Sequence, residues 1–142
     1  MNKFISFLLL LLLSTIAVCQ QPVKPKIRAI PAKYTSPASG KEMFNSYCAS
    51  CHGVDGKGDG PAAAGMKNAV PDITALSKSH GGTFPSFLVF EIIKGDSAVP
   101  SHGSADMPVW GPVFAHMSQV DHAEIQQRIH NLTDYVGSLQ AK

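Results

Sequence analysis

Cysteine is scarce: the 142 residues contain three, of which only Cys48 and Cys51 stand close together. One pair cannot brace a small fold of the disulfide-framed kind. A second Cys-x-x-Cys is missing, which a structural zinc site of the usual two-pair design would need. No cluster of Lys and Arg forms a basic patch, so the footprint of a nucleic-acid partner is lacking and none is expected. Twelve basic and 10 acidic side chains give a formal charge of +2, and loss of Lys3 with the N-terminal segment would leave a nearly neutral chain. No segment carries a convincing strand pattern, and the longest apolar run, residues 4–13 with Ser6 inside it, is short for a strong spanning helix.

What is present begins with residues 1–19, MNKFISFLLLLLLSTIAVC: one lysine, an apolar stretch, then small residues. This is a secretory signal peptide in outline, and it implies export to the periplasm. Cys19 at its end allows removal with the peptide or, alternatively, lipidation that keeps a membrane tether at the N-terminus. Residues 20–38 hold four prolines without apolar periodicity and are expected to form an extended linker. The length that remains, residues 39–142, suits one domain.

That domain reads as all-α, with three main helices and long loops. Ser39 and Glu42 form a capping-box pattern, and Met43, Phe44 and Tyr47 follow at helical spacing towards Cys48. Residues 53–72 are rich in glycine and read as loop. Residues 83–95, TFPSFLVFEIIKG, are expected to be a helix with Thr83 as cap and Gly95 as stop, although the composition is also β-prone. Residues 96–118 read as loop, and the fold of 66–82 is left unassigned. The clearest helix follows Asp121 and Glu124, with Ile125, Ile129, Leu132, Val136 and Leu139 on one stripe that Tyr135 widens. Ordering long loops costs roughly 1–2 kcal/mol per residue in backbone entropy. The sequence therefore looks short of core unless a large apolar cofactor fills it, against which Phe84, Phe87, Phe90 and Trp110 would pack.

The chemistry concentrates in Cys48-Ala49-Ser50-Cys51-His52. Zinc would want a fourth ligand and a thioredoxin-like pair a preceding strand, so both fit poorly. Covalent attachment of a haem fits better. Two thiols three residues apart at a helix end can add to the two vinyl groups of one porphyrin, and the adjacent His52 then serves as an iron ligand. A second axial ligand has many candidates: Met66, Met107, Met117, His80, His102, His116, His122 and His130. Met107 is preferred, because it precedes Pro108 in a loop with Gly103 and Gly111 on either side. Met66 has less apolar company, Met117 reads as core, and His102 is the main histidine rival.

Together these residues resemble those of the class I cytochromes c, the small monohaem carriers of bacterial periplasms and membranes, over residues 38–140. Gly40 and Phe44 look like the family's glycine and aromatic where the first helix crosses the last, Phe44 packing on Leu132 and Tyr135. Gly60-Pro61 resembles the segment whose proline, here Pro61, bounds the proximal side, where a carbonyl accepts a proton from the axial histidine. Met107-Pro108-Val109-Trp110-Gly111 is similar to the ligand loop of several bacterial members, which would place Trp110 at the haem edge. Fifty-five residues separate His52 from Met107, more than in the compact members of the family.

The resemblance implies one covalent haem c, His52 and Met107 as iron ligands, and a monomeric periplasmic electron carrier rather than an enzyme. Its partners would be redox proteins of a respiratory chain. The alternative is a haem c module or subunit tethered within a larger respiratory oxidase or dehydrogenase complex.

Overall fold

The structure, a computed structural model, describes residues 32–96, 107–119 and 121–141. The expected signal peptide, Cys19, residues 20–31 of the expected linker, and His102 lie outside the described residues. Among the described residues the architecture is all-helical and no strand occurs, as the class I cytochrome c resemblance implied. No helix among them is long and apolar enough to cross a membrane.

The first helical rod, α1, covers residues 40–52 and is built in three pieces: α-helical Gly40–Met43, a π-helical turn Phe44–Cys48, and α-helical Ala49–His52. Ser39 caps it, its hydroxyl accepting from the Glu42 amide at 3.2 Å. The expected capping box is half realised, because the Glu42 carboxylate accepts from the Ser36 amide instead, at 3.3 Å. In the π-type turn the Ala49 amide reaches back to the Phe44 carbonyl. Such turns recur at functional sites, and this one ends on Cys48, the first residue of the Cys-x-x-Cys-His segment.

The long C-terminal helix, labelled α5, spans His122–Ser138. Asp121 caps it, accepting from the amides of Ala123 and Glu124 at 2.9 and 3.3 Å. Its stripe of Ile125, Ile129, Leu132 and Val136 is buried as the spacing required. Helix α1 crosses α5 at Gly40, where a Cβ would lie 2.0 Å from the Asn131 carbonyl oxygen. A residue without a side chain lets the two backbones touch, and Phe44 then meets the Tyr135 ring at 5.3 Å.

Between these two rods lie α2 (Leu76–Ser79), α3 (Ser86–Lys94) and α4 (Trp110–Met117). Helix α3 occupies the segment expected to be helical and ends at Gly95, but Thr83 does not cap it and Pro85 takes that position. Its Val89 and Ile93 are buried, four residues apart on one face. Phe87 points the other way and is 78% exposed, so it does not join the core as its aromatic character suggested.

Helix α4 corrects the reading of 96–118 as loop. Gly111 and Pro112 look like breakers in sequence, yet a proline in the first turn costs no hydrogen bond. Trp110 and Phe114 bury one face of α4, and Met117 packs beside them.

Two attachments were not legible as such. Residues 32–38, counted with the linker, are held on the domain: Thr35 is buried, and the Asn131 side chain donates to the Pro37 carbonyl at 2.8 Å. At the other end, the Gln140 amide group accepts from the Ser77 amide and donates to the Ile73 carbonyl, each at 2.8 Å. This clasp fixes residues 73–77, inside the segment left unassigned from sequence.

Candidate functional site

A cleft of about 1160 Å3, measured out to its open mouth, runs into the core between α1, α3, the 66–76 segment and the start of α4. Its walls are mostly apolar: Phe44, Leu132 and Val136 at the base, Leu88, Val89, Ile92 and Ile93 from α3, and Val70, Ile73 and Leu76 opposite. Of the six expected site residues, Cys48, Cys51, His52, Met107 and Trp110 all line it. Pro61 does not. It is exposed in the loop after α1, and the prolines that line the cleft are Pro71, Pro85 and Pro108.

The backbone of the Cys-x-x-Cys-His segment is fixed by the loop that follows it. A helix leaves its last four carbonyls without intrahelical partners, and here each of them finds one. Ala49, Ser50, Cys51 and His52 accept from the amides of Gly53, Ala62, Gly60 and Gly58, at 2.9, 2.8, 3.1 and 2.8 Å. Gly60 is pressed against this helix end so closely that a Cβ would lie 2.5 Å from the carbonyl oxygens of Ala49 and Ser50. The glycines that read as featureless loop are therefore the clamp on the motif, with Pro61 inside the clamp rather than facing the cleft.

Both thiols are free, and both are partly accessible. Burial, reinforced by the neighbouring Cys51, pushes the Cys48 thiol up to about 12. A disulfide-exchange nucleophile needs the opposite shift, so Cys48 lacks the electrostatics of an exchange thiol. Among the described residues no three His, Cys, Asp or Glu side chains converge as a metal-binding group. The two thiols and the imidazole are instead spread along one wall.

His52 ends α1 and is half-buried. Desolvation lowers its pKa and the Pro71 carbonyl opposes that shift, so the neutral ring is favoured. Nδ1 is buried and has no hydrogen-bond partner. In a neutral imidazole one nitrogen carries a proton to donate and the other a lone pair that can bind a metal, and a buried Nδ1 without a partner leaves one of these capacities unused. The proline carbonyl beside it is Pro71, ten residues beyond the one the Gly-Pro pattern suggested.

Met107 is half-buried at the cleft, followed by exposed Pro108 and Val109 and then buried Trp110. Trp110 stacks on Tyr47 at 5.1 Å and on Phe114 at 5.8 Å. Met66 also reaches the cleft, so two thioethers face the same space. Met117 does not line it and packs against the core, where its sulfur lies 3.5 Å from the Tyr47 hydroxyl. His80, His116, His122 and His130 are exposed and off the cleft.

Residues 66–76 supply a whole wall that sequence reasoning left open. Their signal is weak: Val70, Ile73 and Leu76 recur every three residues, but Pro71 and Asp72 interrupt the run and it is too short to stand out as a helix. In α3, Leu88 and Ile92 face the cleft where the sequence had singled out Phe87 and Phe90. What these walls can do chemically is hold a large, flat, mostly apolar molecule, bond it through two thiols, and offer nitrogen and sulfur donors to a metal at its centre.

The family model described as cytochrome c matches residues 37–140 of this sequence. Neither the curated proteins nor the solved structures contain a match.

Proposed function

The chain belongs to the cytochrome c family, and from that premise we propose that it is a periplasmic electron carrier with one haem c, bonded through Cys48 and Cys51 and ligated by His52 and Met107. The family's members are redox carriers rather than catalytic enzymes, and membership implies a haem c. The observation that carries the finer reading is the meeting of both thiols, the His52 imidazole and the Met107 thioether on one apolar cleft.

The residues fit the group on three counts. The cleft walls are apolar and enter the core, His52 presents a ring with an unpaired buried nitrogen, and Cys48 and Cys51 both line the same cleft. When bound, the haem supplies an iron that takes up and gives away one electron. The chain's own residues keep the site the same in both states. The clamp of residues 53–62 on α1 fixes the two cysteines and His52, and α3 with residues 66–76 excludes water. Thioether ligation by Met107 selects a higher potential than a second histidine would. Pro108 and Val109 are exposed beside Met107, an apolar rim suited to the small, short-lived contacts that redox partners make.

A second, tethered form is favoured by the N-terminal sequence. Retention of the apolar run at 4–13, or lipidation of Cys19, would hold the domain on a membrane beside an oxidase or dehydrogenase. A nearly neutral chain also provides little long-range steering, which suits a partner kept close.

The test of the ligand set is optical. The oxidised protein is expected to show the sulfur-to-iron charge-transfer band, and Met107→Ala to abolish it while Met66→Ala leaves it in place. Loss of the band in Met66→Ala with retention in Met107→Ala would transfer the assignment to Met66.

A further inference from the structure

Arg128 lies on α5 with no solvent exposure, far along the chain from the motif, and its guanidinium is tied on several sides. Nε and Nη2 both donate to Glu124 Oε1, at 2.9 and 2.7 Å, and Nε also reaches Ser118 Oγ at 3.3 Å. Nη1 donates to Thr35 Oγ1 at 3.3 Å. Thr35 is 1% exposed, and its hydroxyl lies 2.8 Å from the Tyr47 hydroxyl, which in turn donates to the Lys33 carbonyl at 2.6 Å.

Donor counting gives this chain a direction. A guanidinium only donates, and a phenol has one proton. The Tyr47 proton has two acceptors within reach, the Lys33 carbonyl at 2.6 Å and the Met117 sulfur at 3.5 Å, and the closer carbonyl takes it; Tyr47 therefore accepts from Thr35, and Thr35 accepts from Arg128. The result is a one-way relay from a buried cation to the hydroxyl of a residue that lines the cleft. Burying a charge is a poor way to gain stability, and here the guanidinium, paired with Glu124, also orients the hydroxyl of a ring that connects α1 with the Met107 segment. The Tyr47 ring lines the cleft and stacks on Trp110 at 5.1 Å, and Trp110 opens α4 three residues after Met107.

We propose that Thr35 is a positioning residue for Met107: held by Arg128, it fixes the Tyr47 hydroxyl, and the Tyr47–Trp110 stack then holds the Met107 segment against the cleft. This rests on Met107 as the iron ligand. Residues 32–38 are thereby a working part of the site, not an adjoining linker.

The experiment measures how readily imidazole displaces the methionine in the oxidised holoprotein, followed by loss of the charge-transfer band. Thr35→Val keeps the shape and removes the hydroxyl, and it should tighten imidazole binding about tenfold, the order expected for one lost hydrogen bond. Thr35→Ser, which restores the hydroxyl, should stay within about twofold of wild type. Tyr47→Phe keeps the stack, breaks the same relay and carries the test if Thr35→Val does not fold. Thr133→Ala removes a buried hydroxyl that donates to the Ile129 carbonyl within α5, so it lowers stability while leaving imidazole affinity unchanged. Thr35→Val and Tyr47→Phe proteins that bind imidazole like wild type overturn the proposal, as does a Thr133→Ala protein that binds it as tightly as Thr35→Val. A wild type without the band overturns the Met107 assignment and this proposal with it, whereas a wild type with the band and unresponsive variants overturns the relay alone.

Discussion

Replacing Gly60 by alanine is the sharpest perturbation of the clamp on the Cys-x-x-Cys-His segment. The new Cβ would stand 2.5 Å from the carbonyl oxygens of Ala49 and Ser50 and 2.7 Å from the carbonyl carbon of Cys51. Comfortable contact begins near 3.4 Å, so the loop must withdraw by roughly 0.9 Å to reach a van der Waals distance. Two hydrogen bonds depend on its present position: Gly60 to Cys51 at 3.1 Å and Ala62 to Ser50 at 2.8 Å. Each contributes about 0.5–1.5 kcal/mol net, and the overpacking itself costs about 1–3 kcal/mol. A loss of about 2–6 kcal/mol follows from the two together. Denaturant unfolding of the holoprotein reads this as a lower midpoint at unchanged slope. Gly65→Ala is the matched control, since nothing lies within 4 Å of a Cβ there, and it should stay within about 0.5 kcal/mol of wild type. Equal midpoints for Gly60→Ala and wild type, or equal losses for the two variants, would refute the clamp.

Asp121→Ala removes two amide partners from the start of α5 and should cost about 1 kcal/mol, read as a lower thermal midpoint of the holoprotein. The Glu124 carboxyl has its pKa lowered, first by the Ser118 hydroxyl and then by Arg128; a depressed acid contributes stability that is complete above its unfolded value near 4.3 and is lost as pH falls through the folded one. Glu124→Gln should therefore flatten the stability–pH curve below about pH 4, and a curve as steep as wild type would contradict the pairing. Phe87→Ser should change stability by no more than about 0.5 kcal/mol, because that ring is in solvent; a core-sized loss would restore the reading that packed it inward.

How much of this was legible depends on what the sequence pattern measures. Periodicity reports burial along a single helix, so α5 and the apolar face of α1 stood out. Capping chemistry is local, so Ser39, Gly95 and Asp121 were readable, while Glu42 turning to Ser36 was not, because its alternative partner lies outside the helix. Helix α4 was missed because Gly111 and Pro112 signal a break anywhere except in a first turn. The choice between Pro61 and Pro71 is a tertiary question. Both follow a glycine-rich stretch, and only the path of the chain brings Pro71 to His52. Thr35 and Gln140 were invisible for the same reason: their partners are 93 and 63 residues away in sequence. Motif spacing pointed to the thiols and His52, loop context to Met107 and the resemblance to Trp110, and the fold gathers all five on one cleft.

The central claim is that the two thiols carry one haem through carbon–sulfur bonds. Mass spectrometry of the denatured protein, made in cells with a haem-attachment system, tests it most directly. The account predicts one species heavier than the polypeptide by a single haem, unchanged by acidified organic solvent and with neither Cys48 nor Cys51 open to alkylation. A colourless polypeptide mass with both cysteines alkylated after that extraction would contradict it.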